Sequence, residues 1–179
     1  MQRYVAFLRG INLGKRRLPM SRLQTLFAEL GFEEVATFLA SGNVLFSSQQ
    51  RSRSALESQI AHHLEASLRY TVDTFVRTAE EVVAIGKAKI FPGESDAEVT
   101  IHAGFLHDEL SPTVARKLAA VRSTTDEFRV RGREYYWLCR GRTSDSKIWA
   151  SPAIKALRLP GSSMRNLTSI RKLIAKHLA

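Results

Sequence analysis

Val35-Ala36-Thr37-Phe38-Leu39-Ala40-Ser41-Gly42-Asn43-Val44-Leu45-Phe46-Ser47 sets two short β-rich runs on either side of Ser41-Gly42-Asn43. Gly and Asn tolerate positive φ, so the centre reads as a turn and residues 35–39 and 44–47 as the two strands of a hairpin. Upstream, Leu23, Leu26, Phe27 and Leu30 fall at the i, i+3, i+4, i+7 spacing of one buried helical stripe, opened near Pro19-Met20-Ser21 and stopped by Gly31. Before that helix, residues 4–8 are apolar and β-rich. Downstream, Ser54 and Glu57 have capping-box spacing, Leu56, Ile60, Leu64 and Leu68 form a second stripe, and residues 70–76 supply another strand. The order is β-α-β-β-α-β over residues 1–77, the ferredoxin-like arrangement.

The remaining chain carries a similar pattern. Thr78 and Glu81 are spaced as a capping box, which predicts a connecting helix over 79–87, and Pro92-Gly93 punctuates a linker at 91–96. A strand at 99–106 leads to Ser111 as N-cap and Pro112 at the first helical position, with Val114, Leu118 and Val121 inward. Residues 128–131 and 135–139 flank Gly132-Arg133 as a hairpin. Ser151-Pro152 opens a helix to Leu157, Pro160-Gly161 breaks it, and Leu167, Ile170, Leu173, Ile174 and Leu178 mark a final helix. The fold expected is α+β with two small subdomains. Residues 1–90 form the ferredoxin-like one with its connecting helix; residues 91–179 form a basic one, a related β-α-β-β unit followed by C-terminal helices.

The composition of this 179-residue chain, 44% hydrophobic and 25% charged, is that of an ordinary globular protein. No apolar run reaches the length of a bilayer span and no signal-peptide pattern opens the chain, so a cytoplasmic location without a membrane partner is expected. The single cysteine, Cys139, lies in an apolar run and reads as a core thiol. Net charge is +10, and it is uneven: residues 116–179 contain 15 Lys or Arg against 4 Asp or Glu, leaving the first 115 residues at −1. A positive field of this kind favours nucleic acid or phosphorylated small molecules as partners. Sequence leaves oligomeric state open, with a monomer the simpler expectation.

Residues 9–17 carry Arg9, Gly10, Asn12, Gly14, Lys15, Arg16 and Arg17, a glycine-bracketed basic loop directly after a strand. Such a loop can close backbone N–H groups and cations on an anion. It is not a P-loop: the two glycines have three residues between them instead of four, and Arg16 stands where a metal-binding hydroxyl is needed. An RNA-recognition module would show a basic-Gly-aromatic run on the third strand, whereas residues 43–47 hold Phe46 alone, a core position. Arg165-Asn166 is placed to open the last helix, where an anion would meet both the helix end and a cation. Metal sites are not expected, because His62 with His63 and His102 with His107 diverge and no Cys/His set has ligand spacing. Ser41 lacks the preceding glycine of a hydrolase elbow. Asp73, Asp126, Glu127 and Glu134 form no acid/base pair and read as surface charges or strand-end partners. No cofactor motif is present.

Taken as a set, residues 8–14, Pro19-Met20, Gly31-Phe32, Ser41-Gly42-Asn43, Gly132-Arg133-Glu134 with Tyr136, Ser146-Lys147, and Arg165-Asn166 before Lys172-Leu173 resemble the bacterial domain of unknown function 1697. The resemblance spans nearly the whole chain and implies an α+β protein of two subdomains with no established activity. Lys15 stands where the family pattern usually has a second glycine, and Ser163, Met164 and Leu167 where hydroxyl residues and a tryptophan are common. The function expected is binding of phosphate-bearing ligands, RNA or DNA, through Arg9, Gly10, Asn12, Gly14, Lys15, Ser41, Asn43, Arg165 and Asn166. Alternatives are an enzyme acting on a phosphorylated small molecule, using Arg9, Ser41, Asn43 and Arg165, and a scaffold with no ligand.

Overall fold

The structure is a computed structural model that describes residues 1–179. Its chain divides into two compact units, Met1–Ile85 with His177–Ala179, and Gly86–Lys176. The first unit contains β1 (Gln2–Leu8), α1 (Met20–Glu29), β2 (Glu33–Phe38), β3 (Asn43–Ser48), α2 (Arg53–Leu68) and β4 (Thr74–Thr78). Its sheet order is β2-β3-β1-β4, with β3 antiparallel to both β1 and β2. Placing β3 between β1 and β2 is the split βαβ topology that the hairpin pattern predicts.

Strand alternation sorts β1 cleanly. Tyr4, Ala6 and Leu8 face the helices and join Leu23, Leu26, Phe27, Phe46, Leu56, Ile60 and Leu64 in one core. Val5 and Phe7 face the other way and are also fully buried, as are Leu45 and Phe75. Phe46 is enclosed by Phe27, Phe32 and Tyr4 at 4.4–5.6 Å between centroids, so this ring is core and cannot stack on a base.

Ser52, not Ser54, caps α2 by accepting from Ala55 N. Glu57, freed from capping, is buried: it pairs with Arg53 at 2.8 Å and accepts the Val76 N–H of β4 at 3.0 Å. The carboxylate thus covers an N–H on an edge strand that no neighbouring strand satisfies. Replacing Glu57 by Ala takes the acceptor from the buried Val76 N–H, while Arg53 reaches solvent, and is expected to lower stability by about 1–3 kcal/mol; urea unfolding reads this directly, and a loss under about 0.5 kcal/mol would contradict it.

The second unit repeats the topology. After α3 (Ala79–Lys87), whose Thr78–Glu81 capping box forms as expected, come β5 (Thr100–Phe105), α4 (Pro112–Ala120), β6 (Asp126–Arg131) and β7 (Glu134–Cys139). Two short 3-10 turns and α5 (Pro152–Leu157) follow, then β8 (Ser163–Asn166) and α6 (Leu167–His177). The sheet order β6-β7-β5-β8 matches that of the first unit strand for strand. The sequence pattern shows β-α-β-β and then helices; β8 adds the missing strand and makes this half a second complete β-α-β-β-α-β. Leu106, Leu118, Phe128, Tyr135, Trp137, Cys139, Ile148 and Ile154 form its helix-side core. No helix is long and apolar enough to cross a membrane.

Candidate anion-binding corner

β1 delivers its last residues to one end of the first sheet, where the 9–18 loop meets the β2–β3 turn. Leu8 N–H donates to Gly42 O and Arg9 N–H to Asp73 O, both at 2.9 Å. A Cβ on Gly42 would lie 2.8 Å from Ile11 Cγ2 and 3.1 Å from Leu8 Cβ, so the turn seats against the loop only because that side chain is missing. Asn12 Nδ2 donates to Ala40 O (2.9 Å) and Leu18 O (3.3 Å), and its Oδ1 accepts from Leu18 N (2.6 Å). Asn43 is buried and donates to Phe38 O at 2.6 Å and Ser41 Oγ at 3.1 Å. The structure therefore brings Arg9, Gly10, Asn12, Ser41 and Asn43 together, with the two asparagine amides bracing the backbone.

The loop cations divide into two kinds. Arg16 lies 4.0 Å over the Tyr70 ring and donates to Gly10 O, while Arg17 donates to Gly14 O and Arg16 O. Arg9 and Lys15 are exposed and make no side-chain hydrogen bond or ion pair. No acid precedes Glu29, so these belong to a 28-residue stretch with six Lys or Arg and no Asp or Glu. Two exposed leucines share the corner, Leu13 at 70% and Leu39 at 51%. Leu39 has φ +63°, a left-handed conformation that costs a bulky side chain about 1 kcal/mol, and its exposure returns little burial.

Arg165 and Asn166 lie in the second unit, on β8. Asn166 is the last strand residue and also caps α6, accepting from Thr168 N at 2.8 Å. Arg165 does not point along the helix start: its Nη1 donates to Ser163 Oγ (2.9 Å) and Met164 O (3.0 Å), and burial pushes its guanidinium down to about 10. The first unit has the same device at the end of β4, where buried Arg77 donates to Val76 O at 2.9 Å and Thr78 caps α3. The Arg165-Asn166 pair is thus a strand-to-helix junction that the fold uses twice.

Asp126, read from sequence as a surface charge or strand-end partner, does open β6 but is not at the surface. It is 2% exposed, and its carboxylate accepts from Thr125 Oγ1 (2.6 Å), Ser123 Oγ (3.0 Å), Trp137 Nε1 (2.7 Å) and Ser146 Oγ (2.8 Å). Burial alone would raise this carboxyl, but the four donors outweigh it and the group titrates below its ordinary value. Cys139, its register partner across β6 and β7, is buried, and burial together with the Asp126 charge pushes the thiol up, away from nucleophile chemistry. His102 stacks on Trp137 at 5.2 Å, and burial lowers its pKa. No group of three or more His, Cys, Asp or Glu is arranged to hold a metal ion. Helices α4, α5 and α6 contain six Lys or Arg and no acid, and Arg116, Lys117, Lys155 and Lys172 among them are exposed.

The model of a family described as protein of unknown function, DUF1697, matches residues 1–136. The chain belongs to that family. The match includes the loop and turn of the corner and ends before Arg165. Among solved structures, a conserved bacterial protein from Streptococcus pneumoniae is similar at 20% identity and a TM-score of 0.73, over 98% of this chain and 99% of that one. At so low an identity the likeness extends to the fold alone. No curated protein matches the sequence.

Proposed function

We propose that this DUF1697 member is a nucleic-acid-binding protein whose corner at the end of β1 holds backbone phosphates. The observation that carries this is the pair Arg9 and Lys15, exposed and without side-chain partners in a stretch of chain that has no acid. An isolated cation at a surface is ordinary; four within nine residues, beside exposed backbone, make a local field that attracts polyanions. The acid-free helices of the second unit add a sequence-independent attraction of the same sign. An enzyme using Ser41 and Asn43 draws less support, since the Asn43 amide is engaged by Phe38 O and Ser41.

Fluorescence anisotropy of a labelled duplex across a salt series tests the reading. Binding is expected to weaken with a log–log slope near −0.9 for each phosphate neutralised, and Arg9→Gln with Lys15→Gln is expected to flatten it by about 2. Affinity independent of salt, or a slope untouched by the double substitution, would remove the corner from the interface.

A further inference from the structure

We infer that Leu13 and Leu39 are a wedge that enters between stacked base pairs of duplex DNA, so that the protein kinks what it binds. This rests on the nucleic-acid reading above and adds the form of the ligand and the act performed on it. Apart from Met1, these are the large hydrophobic side chains that the fold leaves exposed. They come from different segments, yet their neighbours are joined by the 2.9 Å hydrogen bond from Asn12 Nδ2 to Ala40 O, which sets the two leucines at one corner. Leu39 is moreover held at φ +63°, where Asn or Gly would sit without strain. Nothing in the first core uses it. A residue that stability disfavours on both exposure and backbone geometry is the kind found at working surfaces.

The surroundings decide what such a pair fits. Arg9, Lys15, Arg16 and Arg17 share the loop that carries Leu13, a segment with no acid of its own, and Asp73 meets the loop where its carbonyl accepts the Arg9 N–H. Apolar tips on a cationic loop match the chemistry of a kinked duplex, in which aliphatic side chains part a base step while arginine and lysine hold the adjoining phosphates. An anionic bilayer fits less well. A single myristoyl chain gives only marginal membrane affinity, roughly 10⁴ M⁻¹, and two leucine side chains bury less hydrocarbon than that. An apolar pocket on an acidic protein would need more than two contacts to form a stable interface of ordinary size.

The test uses the full chain, the Leu13→Ser/Leu39→Asn double variant and a duplex of about 20 base pairs with 2-aminopurine at a central TA step, the kind of step that kinks readily. Leu39→Asn relieves backbone strain, and alone it is expected to raise the melting temperature by about 2 °C, which guards against a loss of function through misfolding. With wild-type protein, 2-aminopurine fluorescence should rise about twofold or more and end-to-end energy transfer should increase; the double variant should lose both while keeping affinity within about tenfold. Wild-type binding without a fluorescence rise overturns the wedge and leaves phosphate binding standing. A rise that persists in the double variant also overturns it. Absence of any salt-sensitive binding takes down the wedge together with the nucleic-acid reading. Leucine-dependent binding to phosphatidylglycerol vesicles, with the DNA signals unchanged between the two proteins, assigns the corner to a membrane surface and refutes the wedge.

Discussion

Gly104→Ala is expected to unfold the second unit. Gly104 is an interior residue of β5 and pairs with Tyr135 of β7. A Cβ built there would sit 2.1–2.5 Å from three atoms of the Tyr135 ring, far inside van der Waals contact. Neither partner has room to yield. The Tyr135 hydroxyl is pinned by a 2.7 Å hydrogen bond to Ser162 Oγ, and its ring packs on Trp149 at 5.8 Å. β5 is fixed by β7 on one side and β8 on the other. Overpacking usually costs about 1–3 kcal/mol where neighbours can relax; here the cost should exceed about 4 kcal/mol, a large part of a typical domain's stability. Urea unfolding followed by tryptophan fluorescence measures it. Adding Tyr135→Leu should recover part of the loss. A Gly104→Ala protein within about 1 kcal/mol of the parent would mean that the ring does not occupy this place.

The second large effect concerns Asp126. Replacing it with Ala strips the acceptor from three hydroxyls and from the Trp137 indole, which can only donate. The expected loss is about 2–3 kcal/mol, carried by the buried Trp137 indole and the half-buried Ser146, while Ser123 and Thr125 are exposed and can turn to water. Asp126→Asn should fall between, since its remaining oxygen can serve Trp137 and Ser146 while the hydroxyls of Ser123 and Thr125 rotate to accept. The sign with pH follows from the lowered folded-state pKa. Stability from the carboxylate is fully present above the unfolded aspartate value of about 3.9 and is lost as pH falls through the lower folded value. The parent's advantage over Asp126→Asn should therefore be constant above about pH 5 and shrink below about pH 4. Parallel curves across that range would show that Asp126 is not held as an anion.

The first unit is legible in sequence because two periods announce it. Leu23, Leu26, Phe27 and Leu30 mark a helix, and the runs around Ser41-Gly42-Asn43 mark strands, so tertiary contacts had only to confirm local preference. β8 is different. Its four residues, Ser163-Met164-Arg165-Asn166, show no apolar alternation, and pairing with β5 alone makes them a strand. Glu57 misleads for a related reason: its spacing from Ser54 suits a cap, but the acceptor is needed by Val76, 19 residues away. The corner was visible as composition, not as geometry. Glycines and cations at 9–17 suggested an anion loop, whereas the bracing roles of Asn12 and Asn43 depend on carbonyls from other segments. Asp126 collects donors from positions 123, 125, 137 and 146, a set that no spacing rule connects.

Cys139 gives the molecule a built-in clock. It is the chain's one thiol, it lies in the core of the second unit at 1% exposure, and its raised pKa keeps it protonated while enclosed. A thiol reagent can react only during moments when that core opens, so the labelling rate of the unmodified protein times the opening of one half of a duplicated fold. The other half carries no thiol and stays silent. Two nearly identical topologies, hard to tell apart by circular dichroism, are thereby distinguished by one sulfur atom.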